Sequence, residues 1–210
     1  MAYQYVDDTD YPRITPAVQW LIALNVAVFL LQSTVVSPAD MQDALGFEVR
    51  DLMGGWWKAF SYMFVHAGFW HLALNLFTLW VFGPRVEHRW GSAGFTRFYL
   101  LCGLGGWFAH LLFFRGALLV GASAAIFGVM YAYARQWPEE EILLMGMVPV
   151  KVKWYVTALL VLNLVSGMAT LGAEGGTAYF AHLGGALTAW LYLRTPSAQG
   201  LARLRDRIAQ

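Results

Sequence analysis

"VGASAAIFGV", residues 120–129, sets one hydroxyl, Ser123, between two glycines in an uncharged apolar run. The run lies in an apolar window, 118–134, and five more windows without acidic side chains stand at about 17–36, 69–84, 95–114, 154–173 and 177–193. Crossing a bilayer as a helix takes about 20 apolar residues. With 59% hydrophobic residues, 13% charged residues and a mean hydropathy of +0.50 over 210 residues, the chain reads as an all-α polytopic membrane protein with six spans. Inside such a bundle Ser123 is either a reactive nucleophile or a small residue that lets two helices approach.

Charge placement gives an orientation. With a cytoplasmic N-terminus and six crossings, the inner side holds eleven of the fourteen Lys and Arg residues, leaving Arg50, Lys58 and Arg115 outside. That asymmetry is what the positive-inside rule asks for, so both termini are expected inside. The opening "MAYQYVDDTDYPRI" is polar and acidic where a signal peptide would be basic, and the first span is expected to remain in the mature protein. A bacterial inner membrane is the expected location. The expected organisation is a short cytoplasmic N-terminus (1–14), one membrane domain (15–195) and a basic cytoplasmic tail (196–210) that is either amphipathic against the lipid or simply solvated.

Between the first two spans, residues 37–68 include "DLMGGWWKAFSYMFVHAGFW", whose aromatics suit the headgroup region and predict an interfacial loop. Between spans four and five, the prolines of "RQWPEEEILLMGMVPVKVKW" predict a break in helix continuity. The net charge of +1 makes no case for nucleic acid. A single cysteine, Cys102, rules out an internal disulfide and reads as packing.

Polar groups at membrane depth are costly and usually face the bundle interior. They number few here: Gln19 and Asn25, His71 and Asn75, His110, Ser123, Asn163 and Ser166, and His182. The lack of acidic residues inside the spans disfavours an aspartyl intramembrane protease and a proton-coupled carrier. No histidine is followed by glutamate, so the H-E-x-x-H pattern of zinc proteases is absent. His66, His71 and His182 lack a carboxylate or thiolate to complete a metal site, and neither metal nor cofactor is expected.

Spans two, four and six all run from outside to inside and carry their polar candidates near the start. At 1.5 Å rise per residue, His71, Asn75, Ser123 and His182 share a depth less than ~10 Å below the outer boundary. His71 and Asn75, four apart, face one side of span two. Gly121, Ala124 and Gly128 on span four, and Gly185 with Ala189 on span six, form rails of small residues that bring His182 near Ser123. Each piece alone reads more readily as packing or interhelical glue; coincidence on three helices singles them out. Asn25, His110, Asn163 and Ser166 have no matching set and read as structural.

These residues resemble the rhomboid family of intramembrane serine proteases. The landmarks are "WWKAF", "HAGFWHLALN", "VEHRWGS", "GASAAIFG" and "AHLGG", in order over about residues 15–195. The resemblance implies a six-helix rhomboid-like bundle, Ser123 as nucleophile, His182 as base, and an oxyanion site made of Asn75, His71 and the Ser123 backbone N–H. It also implies transmembrane protein segments as substrates, entering beside span five and cut near the outer leaflet through an acyl-enzyme. Trp57 with Lys58 resembles the family's Trp-Arg loop motif, which belongs to folding and membrane seating. Departures are mild: Ala124 follows the nucleophile where glycine is usual, Phe127 stands where a tyrosine commonly supports the base, and the span-six Gly-x-x-x-Gly pattern reads Gly185 to Ala189. An inactive rhomboid-like binding or quality-control protein is the first rival, although such relatives typically lose the Ser or His retained here. A small transporter or channel lacks both intramembrane acids and a paired half-repeat.

Overall fold

The computed structural model describes residues 13–113, 118–144, 146–170 and 178–195. The basic tail, residues 1–12 of the N-terminus and Arg115 lie outside them. The described chain is mostly helical. Its long helices are α1 (Pro16–Thr34), α4 (Phe69–Trp90), α5 (Ser92–Phe113), α6 (Ser123–Gln136), α7 (Val152–Ala169) and α8 (Tyr179–Arg194). Two short helices, α2 (Pro38–Leu45) and α3 (Lys58–Ser61), and two 3-10 turns (Val49–Met53 and Tyr62–Phe64) fill the stretch between α1 and α4.

By length and composition, α1 and α7 can cross a membrane, and a third span results if Lys58–Phe64 and Phe69–Trp90, bent by 94° at their junction, are taken together. Two or three of the six expected crossings are therefore supported on this ground. Helices α6 and α8, at 14 and 16 residues, are shorter than a full crossing needs. Large apolar side chains face outward on α1 (Trp20, Leu30), α4 (Trp70, Phe77) and α7 (Leu162, Met168). Such a surface belongs in lipid rather than water.

The centre is formed by α5, α6 and α8, which approach closely because glycines face backbone or small side chains. A Cβ on Gly185 would overlap the carbonyl oxygen of Ala124 and stand 2.7 Å from its carbon, and one on Gly184 would stand 3.1 Å from the Gly105 carbonyl carbon. The second contact, between α5 and α8, was not expected from the sequence, where the rails were assigned to spans four and six alone. Ala189 is fully buried on the same helix.

The apolar window 69–84 lies within α4, which continues through Pro84 to Trp90. Proline removes one helical hydrogen bond, and that loss is tolerated where surrounding packing holds the next turn. The holding group is Glu87, 2% exposed. Its carboxyl accepts from the Thr15 hydroxyl, from the backbone N–H of Ala17 (2.8 Å) and Val18 (2.9 Å), and from the Ser92 hydroxyl (2.5 Å). Helix α1 opens with Pro16 and has no side-chain cap of its own; Glu87 satisfies its otherwise orphaned first N–H groups. Gly91, at φ +73°, then turns the chain into α5.

The break expected between spans four and five is present as an antiparallel hairpin, β1 (Glu141–Leu144) with β2 (Val148–Lys151). The two four-residue strands, EILL and VPVK, were read from the sequence only as a break in helix. Beside it, the carboxylate of Glu139 receives Lys151 Nζ at 2.9 Å and also Lys153 Nζ. On the other side of the fold, Trp57 Nε1 donates to the Ala44 carbonyl (3.1 Å), and Lys58, 6% exposed, pairs with Asp51 at 2.8 Å. These bonds tie the loop together in a way that suits a folding role.

Candidate active site

Ser123 is the first residue of α6, and its position follows from the turn before it. Gly121 has φ +107°, a conformation that L side chains rarely adopt. A Cβ there would also lie 2.6 Å from both Cε1 and Nε2 of the His71 ring. Glycine is thus required twice over, for its backbone and for the room it leaves the imidazole. The Gly121 N–H donates to the Tyr62 carbonyl at 2.9 Å, anchoring the turn. Helix α6 then begins with its first N–H groups free of intrahelical partners, a positive end directed at the serine.

His182, in the first turn of α8, places Nε2 2.7 Å from Ser123 Oγ. Phe127, one turn along α6 from the serine, stacks on the imidazole with 4.6 Å between ring centroids and 2° between planes. The ring is thereby held edge-on to the hydroxyl. At 2.7 Å a neutral imidazole can accept the hydroxyl proton, which is the geometry a general base needs.

On α4, His71 and Asn75 line the same cavity as Ser123, Phe127 and His182, a space of about 770 Å³. The Asn75 amide spends one N–H on the His71 carbonyl (2.7 Å); an amide has two, and the other is available to the cavity. His71 Nδ1 faces the Ala67 N–H at 3.4 Å. A neutral ring accepting at Nδ1 carries its proton at Nε2, the nitrogen turned toward Gly121 and the start of α6. All four residues picked out by depth therefore meet at one cavity.

Two residues fall outside the expectation. His66, fully buried, was considered only as a metal ligand; its ring packs edge-on to His71 at 5.0 Å, and its Nε2 faces the Ala122 N–H at 3.4 Å. Among the described residues no group of three or more His, Cys, Asp or Glu side chains is placed to hold a metal ion. Asn163 was read as structural, yet its Oδ1 lies 2.7 Å from His182 Nδ1. The structure shows the reason, which the sequence does not announce: α7 ends at Ala169, so Asn163 lies about 9 Å from the helix end at 1.5 Å per residue. Placing the end of span five at residue 173 had put it deeper than its partner. Asn25, by contrast, donates within its own helix to Leu21.

The Rhomboid domain family model matches residues 53–198. The chain is similar to RHOMBOID-like protein 4 of Arabidopsis thaliana, with 32% identity over 74% of this chain and 38% of the relative. It is also similar to Rhomboid protein 1, mitochondrial, of Saccharomyces cerevisiae (28% identity, 90% of this chain, 56% of the relative) and to Rhomboid protease GluP of Bacillus subtilis (32% identity, 53% and 22%). The chain belongs to the rhomboid family, and family and apolar helices together make it a membrane protein. It spans between about a fifth and three fifths of the length of these relatives. They come from a plant, a yeast mitochondrion and a bacterium, so kinship assigns a membrane but no single compartment.

Proposed function

We propose that this chain is an intramembrane serine endopeptidase that cleaves membrane-spanning segments of other proteins near the outer leaflet. The observation that carries the reading is the 2.7 Å contact between Ser123 Oγ and His182 Nε2, with Phe127 stacked on the base. In the proposed reaction His182 takes the Ser123 proton as the oxygen attacks a peptide carbonyl. An acyl-enzyme forms, the proton passes to the leaving amine, and water releases the acyl group by the same base. Negative charge on the carbonyl oxygen is met by Asn75, His71 and the Ser123 N–H in a cavity walled by apolar side chains. Six crossings with both termini cytoplasmic would open this cavity toward the outer side, and a substrate helix would have to unwind locally to expose its peptide bond. The intact hydroxyl and imidazole favour this reading over an inactive binding protein.

The test uses the full chain in detergent. Wild type should label covalently at Ser123 with a fluorophosphonate and cut a single-pass model substrate, while Ser123→Ala and His182→Ala, melting as wild type does, should do neither. Cleavage by Ser123→Ala in a protease-free preparation would return the serine to a packing role.

A further inference from the structure

Resting on the protease reading above, we infer that Asn163 is a positioning residue: it fixes the tautomer and ring orientation of His182, so that the catalytic pair Ser123 and His182 depends on a third side chain. The inference begins with the amide's own bonds. Asn163 Nδ2 donates to the Leu159 carbonyl at 2.8 Å. A carbonyl only accepts, so turning the amide over would set two acceptors face to face. Oδ1 is therefore the atom presented to His182 Nδ1 at 2.7 Å, and it also only accepts. His182 Nδ1 must carry the proton. In the neutral ring Nε2 is then the bare nitrogen, and it is the one that faces the Ser123 hydroxyl at 2.7 Å.

The chain of donors runs one way: Ser123 O–H to His182 Nε2, and His182 Nδ1–H to Asn163 Oδ1. When the serine attacks, its proton moves to Nε2 and the ring becomes an imidazolium with two N–H donors. The Nδ1–H bond to Asn163 is kept throughout, and Nε2–H later protonates the leaving nitrogen. Phe127 stacking sets the plane of the ring but is indifferent to which nitrogen holds the proton. Asn163 supplies that missing specification. Its location suits the task, since the buried positions of α7 are Val152, Val156, Asn163 and Gly167, one narrow stripe flanked by Tyr155 and Leu159, which line the cavity.

In Ser-His-Asp proteases, a partner that imposes the wrong tautomer lowers kcat by about 10⁴. Here removal leaves the tautomer free rather than reversed, and Phe127 still orients the ring, so a loss of about 10- to 100-fold in kcat is expected from Asn163→Leu, with KM little changed. Asn163→Asp keeps an acceptor toward His182 Nδ1, and it keeps the bond to the Leu159 carbonyl only with a proton on its other oxygen, so its loss in kcat should be smaller than that of Asn163→Leu. The tautomer is read directly from imidazole ¹⁵N shifts in histidine-labelled wild type, with His182 assigned by its loss in His182→Ala. A proton on Nδ1 is expected, and a mixture in Asn163→Leu. A wild-type His182 protonated on Nε2, an Asn163→Leu protein with wild-type kcat, or equal losses in folded Leu and Asp variants would overturn the role. If wild type neither labels nor cleaves, the protease reading fails instead, while the ¹⁵N spectrum still decides the hydrogen bond by itself, even where Asn163→Leu does not fold.

Discussion

Adding a single methyl group at Gly185 should switch the site off from a distance. Gly185 is three residues after His182 on α8 and faces the backbone of Ala124, the residue after the nucleophile. A Cβ at Gly185 would stand 2.7 Å from the Ala124 carbonyl carbon, with the oxygen closer still, against the 3.4 Å at which ordinary contact begins. Relieving the carbon contact alone separates the two helices by about 0.7 Å, since packed backbone has little room to yield otherwise. Carried to the site as a rigid shift, this takes Ser123 Oγ and His182 Nε2 from 2.7 Å to about 3.4 Å, beyond the ~3.2 Å reach of a working general base. Clearing the oxygen moves them further. Positioned general-base catalysis contributes about 10²- to 10⁴-fold, so Gly185→Ala should lose at least about 10²-fold in labelling rate and in cleavage. Overpacking should cost about 1–3 kcal/mol of stability. The assay is fluorophosphonate labelling against time, with thermal melting in the same detergent. A Gly185→Ala protein that labels at the wild-type rate would refute the claim that this contact sets the Ser–His distance.

Asn75→Ala should lower kcat without unfolding the protein, by about 10²-fold or less, because His71 and a backbone N–H serve the same oxygen; unchanged turnover in both Asn75→Ala and its double variant with His71→Ala would remove the assigned oxyanion role. Cysteine placed at Gly200, in a Cys102→Ala background, should resist an impermeant thiol reagent in intact cells, and labelling at the rate of an outer-loop control would reverse the orientation. At the hairpin, hydrogen bonds from Lys151 and then Lys153 lower the Glu139 pKa from 4.5 to about 2. A depressed carboxylate stabilises the fold above its unfolded pKa and loses that contribution as pH falls through the folded one, so protection of β1 and β2 amides should weaken between about pH 4.5 and 2. The effect should be small and salt-sensitive because the group is exposed, and equal protection at pH 6 and 2.5 would exclude it.

Ser123, His182, Asn75 and His71 were legible in sequence because bundle geometry converts position along a span into depth, and few polar residues compete at that depth. Phe127 came with the family resemblance, which sets an aromatic at that place beside the base. The part that was not legible depends on where helices stop. The apolar window 69–84 stops short of the helix end at Trp90, and the partners of Glu87 in that last stretch are distant in sequence. Asn163 was set aside for the same reason, since the outer limit of span five was drawn from hydropathy, which does not register the last turn. Gly105 and Gly184 show a different limit: a glycine-rich face announces close approach but does not name its partner helix.

The matched family domain begins at residue 53, after α1 has ended, yet the Glu87 carboxyl spends three of its four hydrogen bonds on Thr15, Ala17 and Val18. The stretch matched by the family model is thus shorter than the stretch these hydrogen bonds tie together, and similarity to the yeast relative, over 90% of the chain, reaches into α1 as well. A protein begun at residue 53 would keep every residue of the site but lose three of the four donors to the Glu87 carboxyl together with helix α1. In the full chain the seating of the first helix is registered at the turn that launches α5, so α1 acts as a lock on the end of α4 opposite His71 and Asn75, although no α1 residue lines the cavity.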